Sequence, residues 1–433
     1  MERFQFEQLL AWKNSCNRKP LIIKGARQVG KTWLMKEFGK REYLQTAYIN
    51  FESSASLKHL FSTDFDIQRI ISAIQIETEV QIDAKTTLII FDEIQACEAA
   101  ITSLKYFFEN APQYHIIAAG SLLGVALHYK TSFPVGKIEF LDLHPLSFGE
   151  FLLAVHKKAL YNLLTTKDWS LVAGFKLKFA ELLRQYFYIG GMPEVVSSFS
   201  IENDFKKVRT IQLQILNAYE QDFSKHAPNE TVPRIRMIWQ AIPSQLAREN
   251  KKFVYGLLKQ GARAKEYEMA IAWLVDAGMI YKVNRASKPA LPLIAYMDVA
   301  AFKLFFLDVG LLAAMGNIDS KTLIEGHQIF QEFKGGITEQ YVLQQLKTIE
   351  ELPVYYWSSE KSTAEIDFLI QFSENVIPIE VKAEENLQAK SLKSFQLQYK
   401  PAISIRTSMS DYRIDQWLTN LPLYAIEFYW KTK

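Results

Sequence analysis

One stretch of the sequence has the spacing of a phosphate-binding loop. It fits the pattern G-x-x-x-x-G-K-[ST] with eight consecutive residues: Gly25, Ala26, Arg27, Gln28, Val29, Gly30, Lys31 and Thr32. Glycines let the backbone wrap around phosphates, and a following helix adds unpaired N–H donors. We expect Lys31 to pair with the β- and γ-phosphates of ATP and the Thr32 hydroxyl to bind Mg²⁺. Because ordinary loops also show this pattern by chance, its context matters.

The context is the one that this chemistry requires. The apolar run Leu21–Gly25 predicts a strand before the loop, and the residues TWLMKEF predict a helix after it. A second apolar strand, Leu88–Phe91, ends in Asp92 and Glu93. We expect Asp92 to hold Mg²⁺ through water and Glu93 to orient or deprotonate the attacking water. Alone, such a pair is usually a solvated strand end, but its position after the loop favours the functional interpretation.

A third apolar run, Ile116–Ala119, ends in Gly120 and Ser121. We expect the Ser121 hydroxyl to lie beside the γ-phosphate and report its presence, and a helix N-cap serine is the alternative. Apolar strands that alternate with helical stretches predict a parallel sheet covered on both faces. The sequence therefore predicts an α/β core that ends near Leu143.

Residues 20–145 resemble the AAA-type ATPase domain of a large prokaryotic family, in which it is fused to a C-terminal domain of uncharacterised function. The resemblance lies in the motifs GARQVGKT, FDEIQ, AGS, LHPLSFGEF (143–151), GGMPEVV (190–196) and IPIEVK. It implies an ATPase that uses Mg²⁺. The family carries an arginine where this chain has Lys137, which offers a point charge in place of a bidentate fork. AAA-type relatives often complete their sites with a neighbouring subunit's arginine, so a homo-oligomer is one expected arrangement.

Acidic residues and a lysine recur on two predicted strands near the C-terminus. Asp367 lies in the run EIDFLI, and Glu380 and Lys382 share one face of the run VIPIEVK. An Asp and a Glu on neighbouring strands can bind Mg²⁺ with open positions for water and phosphate. The lysine can orient that water or neutralise developing charge. Glu339, on a predicted helix, is a further candidate metal ligand.

The D…E-x-K arrangement resembles the PD-(D/E)xK restriction-endonuclease-like fold of many nucleases and junction resolvases. The resemblance implies catalytic roles for Asp367, Glu380 and Lys382 and DNA as the partner, although such domains also bind nucleic acid without cutting it. A salt-bridged strand face is the alternative, because charges on adjacent strands commonly pair.

The region between the two sites predicts a helical lid and then a connector. We expect the ATPase core over residues 1–145, the lid over 146–230, a winged-helix-like connector over 231–290 and the nuclease-like domain over 291–433. The segment Arg285–Pro292 predicts a linker. Basic residues concentrate in the connector, either against DNA phosphates or on a solvated face: Arg248, Lys251, Lys252, Lys259, Arg263 and Lys265.

Composition excludes several classes of protein. The 433 residues carry a formal net charge of +3, which is too small to demand a polyanionic partner. The two cysteines, Cys16 and Cys97, have no paired spacing, which argues against a disulfide framework or a zinc site. No secretory signal is evident, and charges interrupt the apolar window Leu293–Met315. We therefore expect a cytoplasmic protein without a membrane partner.

Three functions remain open. The first is a DNA-processing ATPase whose nucleotide state controls the C-terminal domain. The second is a nucleotide-controlled switch that binds DNA or a protein without cutting. The third is a protein-remodelling ATPase with a structural C-terminal domain.

Overall fold

The computed structural model describes residues 1–124, 136–248, 251–322, 331–360, 363–383 and 389–430. The chain forms two compact units. The first unit comprises Glu2–His144 and the short segment Asp276–Met279. The second unit comprises Met1, Pro145–Val275 and Ile280–Lys433.

A parallel five-stranded sheet forms the centre of the first unit, in the order β2-β3-β4-β1-β5. Its strands are β1 (Leu21–Lys24), β2 (Gln45–Asn50), β3 (Thr87–Asp92), β4 (His115–Ala119) and β5 (Glu139–Asp142). Its helices are α1 (Gln5–Asn14), α2 (Lys31–Glu42), α3 (Ala55–Phe61), α4 (Ile67–Thr78) and α5 (Glu98–Asn110). The α/β prediction is confirmed.

The apolar composition of the inner strands explains the sheet. Every residue of β3 and β4 is buried, as expected for parallel strands that are covered on both faces. The rings of Phe51, Phe61 and Phe91 meet edge to face beside β3, with centroids 5.4–5.7 Å apart. The edge strand β5 was not predicted, because its sequence EFLD mixes charged and apolar residues and only Leu141 is buried.

Helices form most of the second unit before its sheet begins. They are α6 (Phe148–Ala154), α7 (Lys158–Thr166), α8 (Trp169–Gly174), α9 (Lys176–Ile189), α10 (Pro193–Glu202), α11 (Phe205–His226), α12 (Val232–Leu246) and α13 (Ala264–Asp276). The later helices are α14 (Val309–Met315), α15 (Gln331–Lys347), α16 (Lys390–Tyr399) and α17 (Ile426–Trp430). No helix among the described residues is long and apolar enough to cross a membrane.

The second unit contains a mixed eight-stranded sheet in the order β12-β13-β11-β10-β9-β8-β6-β7. Its strands are β6 (Ile280–Ala286), β7 (Met297–Phe306), β8 (Val354–Ser358), β9 (Glu365–Phe372), β10 (Asn375–Val381), β11 (Ile405–Ser408), β12 (Arg413–Asp415) and β13 (Leu418–Pro422). The predicted linker Arg285–Pro292 lies in the antiparallel β6–β7 hairpin instead, and β6 also pairs with β8. One sheet therefore runs through this position.

Two of the sequence motifs, LHPLSFGEF (143–151) and GGMPEVV (190–196), set the backbone conformation in the second unit rather than supply reactive groups. Glu427 accepts hydrogen bonds of 2.9 Å from the Ser147 hydroxyl and the Gly149 amide, which anchors the start of α6. Asp308 accepts one of 2.6 Å from the Gly191 amide. Gly190 has a φ of 76°, and a Cβ there would lie 2.1 Å from Asp308 Oδ1. Only glycine fits this turn between α9 and α10.

Candidate nucleotide and acidic sites

The phosphate-binding loop lies between β1 and α2, as predicted. Gly25 and Gly30 have φ values of 146° and 95°, which residues with side chains rarely adopt. A Cβ on Gly25 would lie 2.2 Å from the carbonyl oxygen of Leu143. Both glycines are therefore required by backbone geometry, before any phosphate is considered.

Lys31 is buried at the first position of α2 and points back into the loop. Its ammonium donates hydrogen bonds to the carbonyl oxygens of Gly25 (2.9 Å) and Ala26 (2.8 Å). Burial lowers the pKa of Lys31 to about 8, although the charges of Glu93 and Asp92 oppose the shift. The loop thus holds this cation close to the position where phosphate oxygens are expected.

Asp92 is the centre of a hydrogen-bond group at the end of β3. Its Oδ2 accepts hydrogen bonds of 2.8 Å from the Thr32 hydroxyl and from the Tyr48 hydroxyl. Its Oδ1 accepts one of 3.1 Å from the Glu93 amide. Thr32 and Asp92 thus come together as two oxygen ligands of the kind that Mg²⁺ prefers, and their adjacency fits the ion. No sequence pattern predicted the contact of Tyr48 with Asp92.

Glu93 is held in one orientation by its neighbours. Its backbone is left-handed (φ 49°), and its Oε2 accepts from the Ser121 hydroxyl (2.7 Å), the Ser121 amide (3.1 Å) and Gln95 Nε2 (2.6 Å). Burial opposes ionisation, but these hydrogen bonds outweigh it and hold the pKa of Glu93 below its usual value. The Glu93 carboxylate is therefore ionised, and Ser121 and Gln95 set its orientation.

Arg3 is a residue of this site that the sequence did not reveal. It is 5% exposed, and its guanidinium donates to the carbonyl oxygens of Val29 (2.9 Å) and His144 (2.6 Å). It therefore ties the phosphate-binding loop to the last residue of the continuous part of the first unit. A single arginine before α1 carries no local pattern that would predict this role.

The segment Asp276–Met279 also packs against the loop region. Gly278 is left-handed (φ 71°), as the predicted end of α13 requires, and a Cβ there would lie 3.1 Å from the Ala26 nitrogen. A Cβ on Gly124 would lie 2.2 Å from the carbonyl oxygen of Asp276. Two glycines thus permit close approach of this segment to both the loop and the residues that follow Ser121.

Lys137 does not approach the loop within this unit. It forms an ion pair of 3.1 Å with Glu109 and lies before the start of β5. The loop follows the C-terminal end of β1, whereas Lys137 precedes the N-terminal end of β5. Because β1 and β5 are parallel, Lys137 and the loop lie at opposite ends of the strands. Residues 125–135, which include most of the P-V-G motif, lie outside the described residues.

The second unit brings the C-terminal acidic residues onto adjacent strands. In the antiparallel β9–β10 pair, Ile379 lies opposite Phe368, so Glu380 and Asp367 are the next residues across. The Val381 amide donates a 2.7 Å hydrogen bond to Asp367 Oδ2. Glu380 forms a 2.8 Å ion pair with Lys382. This is the neighbouring-strand arrangement that the sequence predicted.

Glu339 joins this group from α15. It is 5% exposed, lies close enough to Asp367 for their charges to interact, and forms a 2.5 Å ion pair with Lys251. Burial and the charge of Glu339 together raise the pKa of Asp367 to about 8. Asp367 therefore holds a proton at neutral pH, while Glu339 stays ionised beside Lys251.

Lysines fill the space around these carboxylates. Lys303, on β7, is fully buried, forms an ion pair with Glu365 and lies 4.8 Å from the centroid of the Tyr356 ring. The prediction of an outward-facing basic group is wrong for Lys251, whose side chain is 11% exposed and turned towards Glu339. The remaining five residues of that group are exposed: Arg248, Lys252, Lys259, Arg263 and Lys265.

The carboxylates can be tested for their fit to a divalent cation. The Oε2 atoms of Glu339 and Glu380 are buried without a hydrogen-bond partner, which suits an absent ligand. No group of three or more His, Cys, Asp or Glu side chains converges as a preformed metal site within the ranges that the structure describes. These carboxylates are of the type that binds Mg²⁺. In the structure, lysines pair with Glu339 and Glu380 instead.

Three family models match successive parts of the chain. Residues 17–152 match the AAA domain model, which covers the loop, Asp92, Glu93 and Ser121. Residues 180–322 and 334–426 match two domains of unknown function, DUF8612 and DUF4143. No curated protein matches the chain. The first unit thus contains an AAA-type P-loop domain.

Several solved structures are similar to this chain. A Walker-type ATPase of Pyrococcus abyssi is 15% identical with a TM-score of 0.45, covering 73% of this chain and 95% of that one. The Orc1 protein of Aeropyrum pernix, solved in complex with DNA, is 10% identical with a TM-score of 0.27, covering 72% and 90%. Cdc6p from Pyrobaculum aerophilum is 10% identical with a TM-score of 0.27, covering 74% and 93%.

Proposed function

We propose that the first unit binds ATP with Mg²⁺ and hydrolyses it. The observation that carries the proposal is the contact between Thr32 and Asp92, which joins the phosphate-binding loop to the end of β3 beside a directed Glu93. Mg²⁺ would be held by Thr32 and Asp92, and when bound it supplies charge neutralisation for the phosphates.

The roles of the other residues follow from their contacts. When ATP binds, Lys31 gives up its hydrogen bonds to the carbonyl oxygens of Gly25 and Ala26 and pairs with the β- and γ-phosphates instead. Glu93 orients the attacking water and accepts its proton through the carboxylate that Ser121 and Gln95 hold. Ser121, bound to Glu93, is the residue through which the γ-phosphate is sensed.

Steady-state ATP hydrolysis tests this proposal. We expect Lys31→Ala to abolish nucleotide binding, and Glu93→Gln to retain binding while hydrolysis falls about 100-fold. Lys40→Ala removes an exposed lysine from the same helix and is the matched control. Hydrolysis that survives both Lys31→Ala and Glu93→Gln would rule the site out.

We further propose that the carboxylate group of the second unit is a divalent-metal site that acts on DNA under control of the nucleotide. The support is the adjacency of Asp367, Glu380 and Lys382 and the buried unpartnered oxygens of Glu339 and Glu380. In this role Glu339, Asp367 and Glu380 hold Mg²⁺, and Lys382 orients the water. ATP turnover would reposition the site on its substrate, with or without self-association of the chain.

Cleavage of a labelled duplex and a labelled single strand tests the second role. We expect Mg²⁺- or Mn²⁺-dependent cleavage that Asp367→Ala or Glu380→Ala abolishes. Glu374→Ala removes an exposed carboxylate from the turn between the same two strands and should cut as the wild type does. DNA binding without cleavage by the wild type and by every variant would contradict the nuclease role. It would indicate a domain that binds DNA without cutting it.

The lysines within the carboxylate group favour a second candidate, a nucleotide-controlled switch. Lys251 and Lys303 neutralise the acidic side chains that a metal ion would otherwise neutralise. In that function the unit binds DNA or a protein partner without cutting. It predicts slow ATP turnover and loss of partner binding in Lys31→Ala.

A further inference from the structure

Lys251 differs from the other basic residues near the carboxylates in how it is held. It lies between α12 and the short 3₁₀ turn Tyr255–Leu257, outside regular secondary structure. Two residues on, the Phe253 amide donates a 2.8 Å hydrogen bond to the Phe302 carbonyl and pins the segment to β7. The backbone is thus anchored at Phe253, and Lys251 itself lies outside any helix or strand.

Lys303 is held differently. It lies within β7, is fully buried, and packs over the Tyr356 ring with its ammonium on Glu365. Lys382 is paired with Glu380 on the same strand end. Of Lys251 and Lys303, which pair with buried or half-buried carboxylates, Lys251 is therefore the cation that lies outside a strand.

Charge balance points to the same residue. The carboxylate group comprises four acidic side chains and three lysines among the described residues: Glu339, Glu365, Asp367, Glu380, Lys251, Lys303 and Lys382. Metal binding would remove the proton from Asp367. With all four carboxyl groups ionised, the formal charge is −1 with Lys251 in place and −2 without it. Two negative charges are what one divalent cation neutralises. Unpaired buried carboxylates are costly, so either cation stabilises the group and both together overfill it.

We propose that Lys251 is an internal cation that excludes the divalent metal ion, and that its ion pair with Glu339 opens when the metal binds. The proposal rests on the metal site proposed above. The Lys251 ammonium contacts one oxygen of Glu339, and the other oxygen is buried without a partner. Metal binding therefore competes with one ion pair, and releasing that pair frees a complete Glu339 carboxylate.

Direct measurement of metal binding tests this competition. Isothermal titration with Mn²⁺ is performed on the full chain carrying Asp92→Asn, which removes the nucleotide-dependent metal site. We expect Lys251→Gln to bind Mn²⁺ about tenfold or more tightly than this parent, because a nearby positive charge is removed. Lys251→Met is the second variant. Lys259→Met, which removes an exposed lysine and the same charge, should bind as the parent does.

Thermal unfolding supplies an independent readout. Without metal, Lys251→Gln should melt below the parent because Glu339 is left buried without its ion pair. Mn²⁺ should then raise the melting temperature of Lys251→Gln by more than it raises that of the parent. A purely structural ion pair would give the first effect without the second.

The outcomes separate the two proposals. Equal or weaker Mn²⁺ binding by both Lys251 variants overturns the competition, and the metal site stands if Glu380→Gln abolishes binding. Binding that persists in Glu380→Gln, or is absent from every variant, overturns both the metal site and the competition.

Discussion

The hydroxyl of Thr32 donates a 2.8 Å hydrogen bond to Asp92, which is 60 positions away in the chain. The contact joins the first turn of α2 to the end of β3 and defines where a metal ion would lie. Its two partners come from motifs that the sequence already connected.

Asp92→Asn should separate nucleotide binding from its dependence on Mg²⁺. The amide oxygen still accepts from Thr32, but the negative charge that attracts the ion is lost. We expect ATP to bind similarly with Mg²⁺ and with EDTA in this variant, whereas Mg²⁺ strengthens binding to the wild type. Fluorescence titration with a labelled nucleotide measures both. Asp142→Asn, on the exposed edge strand, is the control, and an unchanged Mg²⁺ effect in Asp92→Asn would contradict the assignment.

Arg3→Met should weaken ATP use through the position of the loop. The carbonyls of Val29 and His144 lose their donor, which costs about 1–3 kcal/mol for the buried Val29 carbonyl. We expect the KM for ATP to rise about tenfold with a smaller change in kcat. Arg3→Lys should recover part of the loss, because it restores one donor. Arg41→Met removes an exposed arginine from α2 and is the control. An equal rise of the KM in that variant would show that Arg3 does not act through its contacts with the loop.

Gly278→Ala should destabilise the first unit. The new Cβ would meet the Ala26 nitrogen at 3.1 Å in a left-handed backbone, and we expect a loss of about 1–2 kcal/mol. Thermal unfolding followed by fluorescence, with and without ATP, measures it. Gly256→Ala is the matched control because a Cβ there meets nothing within 4 Å. Equal melting temperatures for the two variants would contradict the prediction. They would mean that the segment Asp276–Met279 shifts to accommodate the Cβ at no measurable cost in stability.

His115 makes stability depend on pH. It is 9% exposed, its Nδ1 is 2.6 Å from the Tyr43 hydroxyl, and burial together with Arg18 and Lys13 lowers its pKa to about 4. The unfolded chain, with a histidine pKa near 6.5, binds more protons than the folded chain between these values. Stability should therefore fall as pH decreases from about 6.5 to 4. His115→Gln should flatten this part of the curve, and an unchanged slope in urea unfolding would contradict it.

Local patterns were enough to predict the arrangement of the phosphate-binding loop, Asp92 and Glu93. The strands β1, β3 and β4 are continuous apolar runs, and the loop and the Asp92–Glu93 pair follow two of them. The carboxyl ends of parallel strands meet at one edge of a sheet, which brings Thr32 and Asp92 to the same edge. Asp367 and Glu380 were predicted on neighbouring strands from two apolar runs that are close in sequence, and these strands pair antiparallel.

Long-range pairing explains what the sequence did not reveal. Arg3 binds carbonyl oxygens 26 and 141 positions away, and its own neighbours carry no trace of either. Lys251 sits in a basic stretch that reads as a solvated face, yet its partner Glu339 is 88 positions on. The sheet that crosses Arg285–Pro292 depends on the β6–β8 pairing, and prolines near a hairpin look the same as prolines in a linker.

The discontinuity of the first unit has a consequence for synthesis. A chain leaves the ribosome from its N-terminus, and domains generally fold as they emerge. Residues 2–144 appear early, but the segment Asp276–Met279 that packs on Ala26 and Gly124 follows only after the whole helical region. The phosphate-binding loop therefore has the support of Arg3 early in translation, but it acquires its last contacts only after residue 279 has emerged.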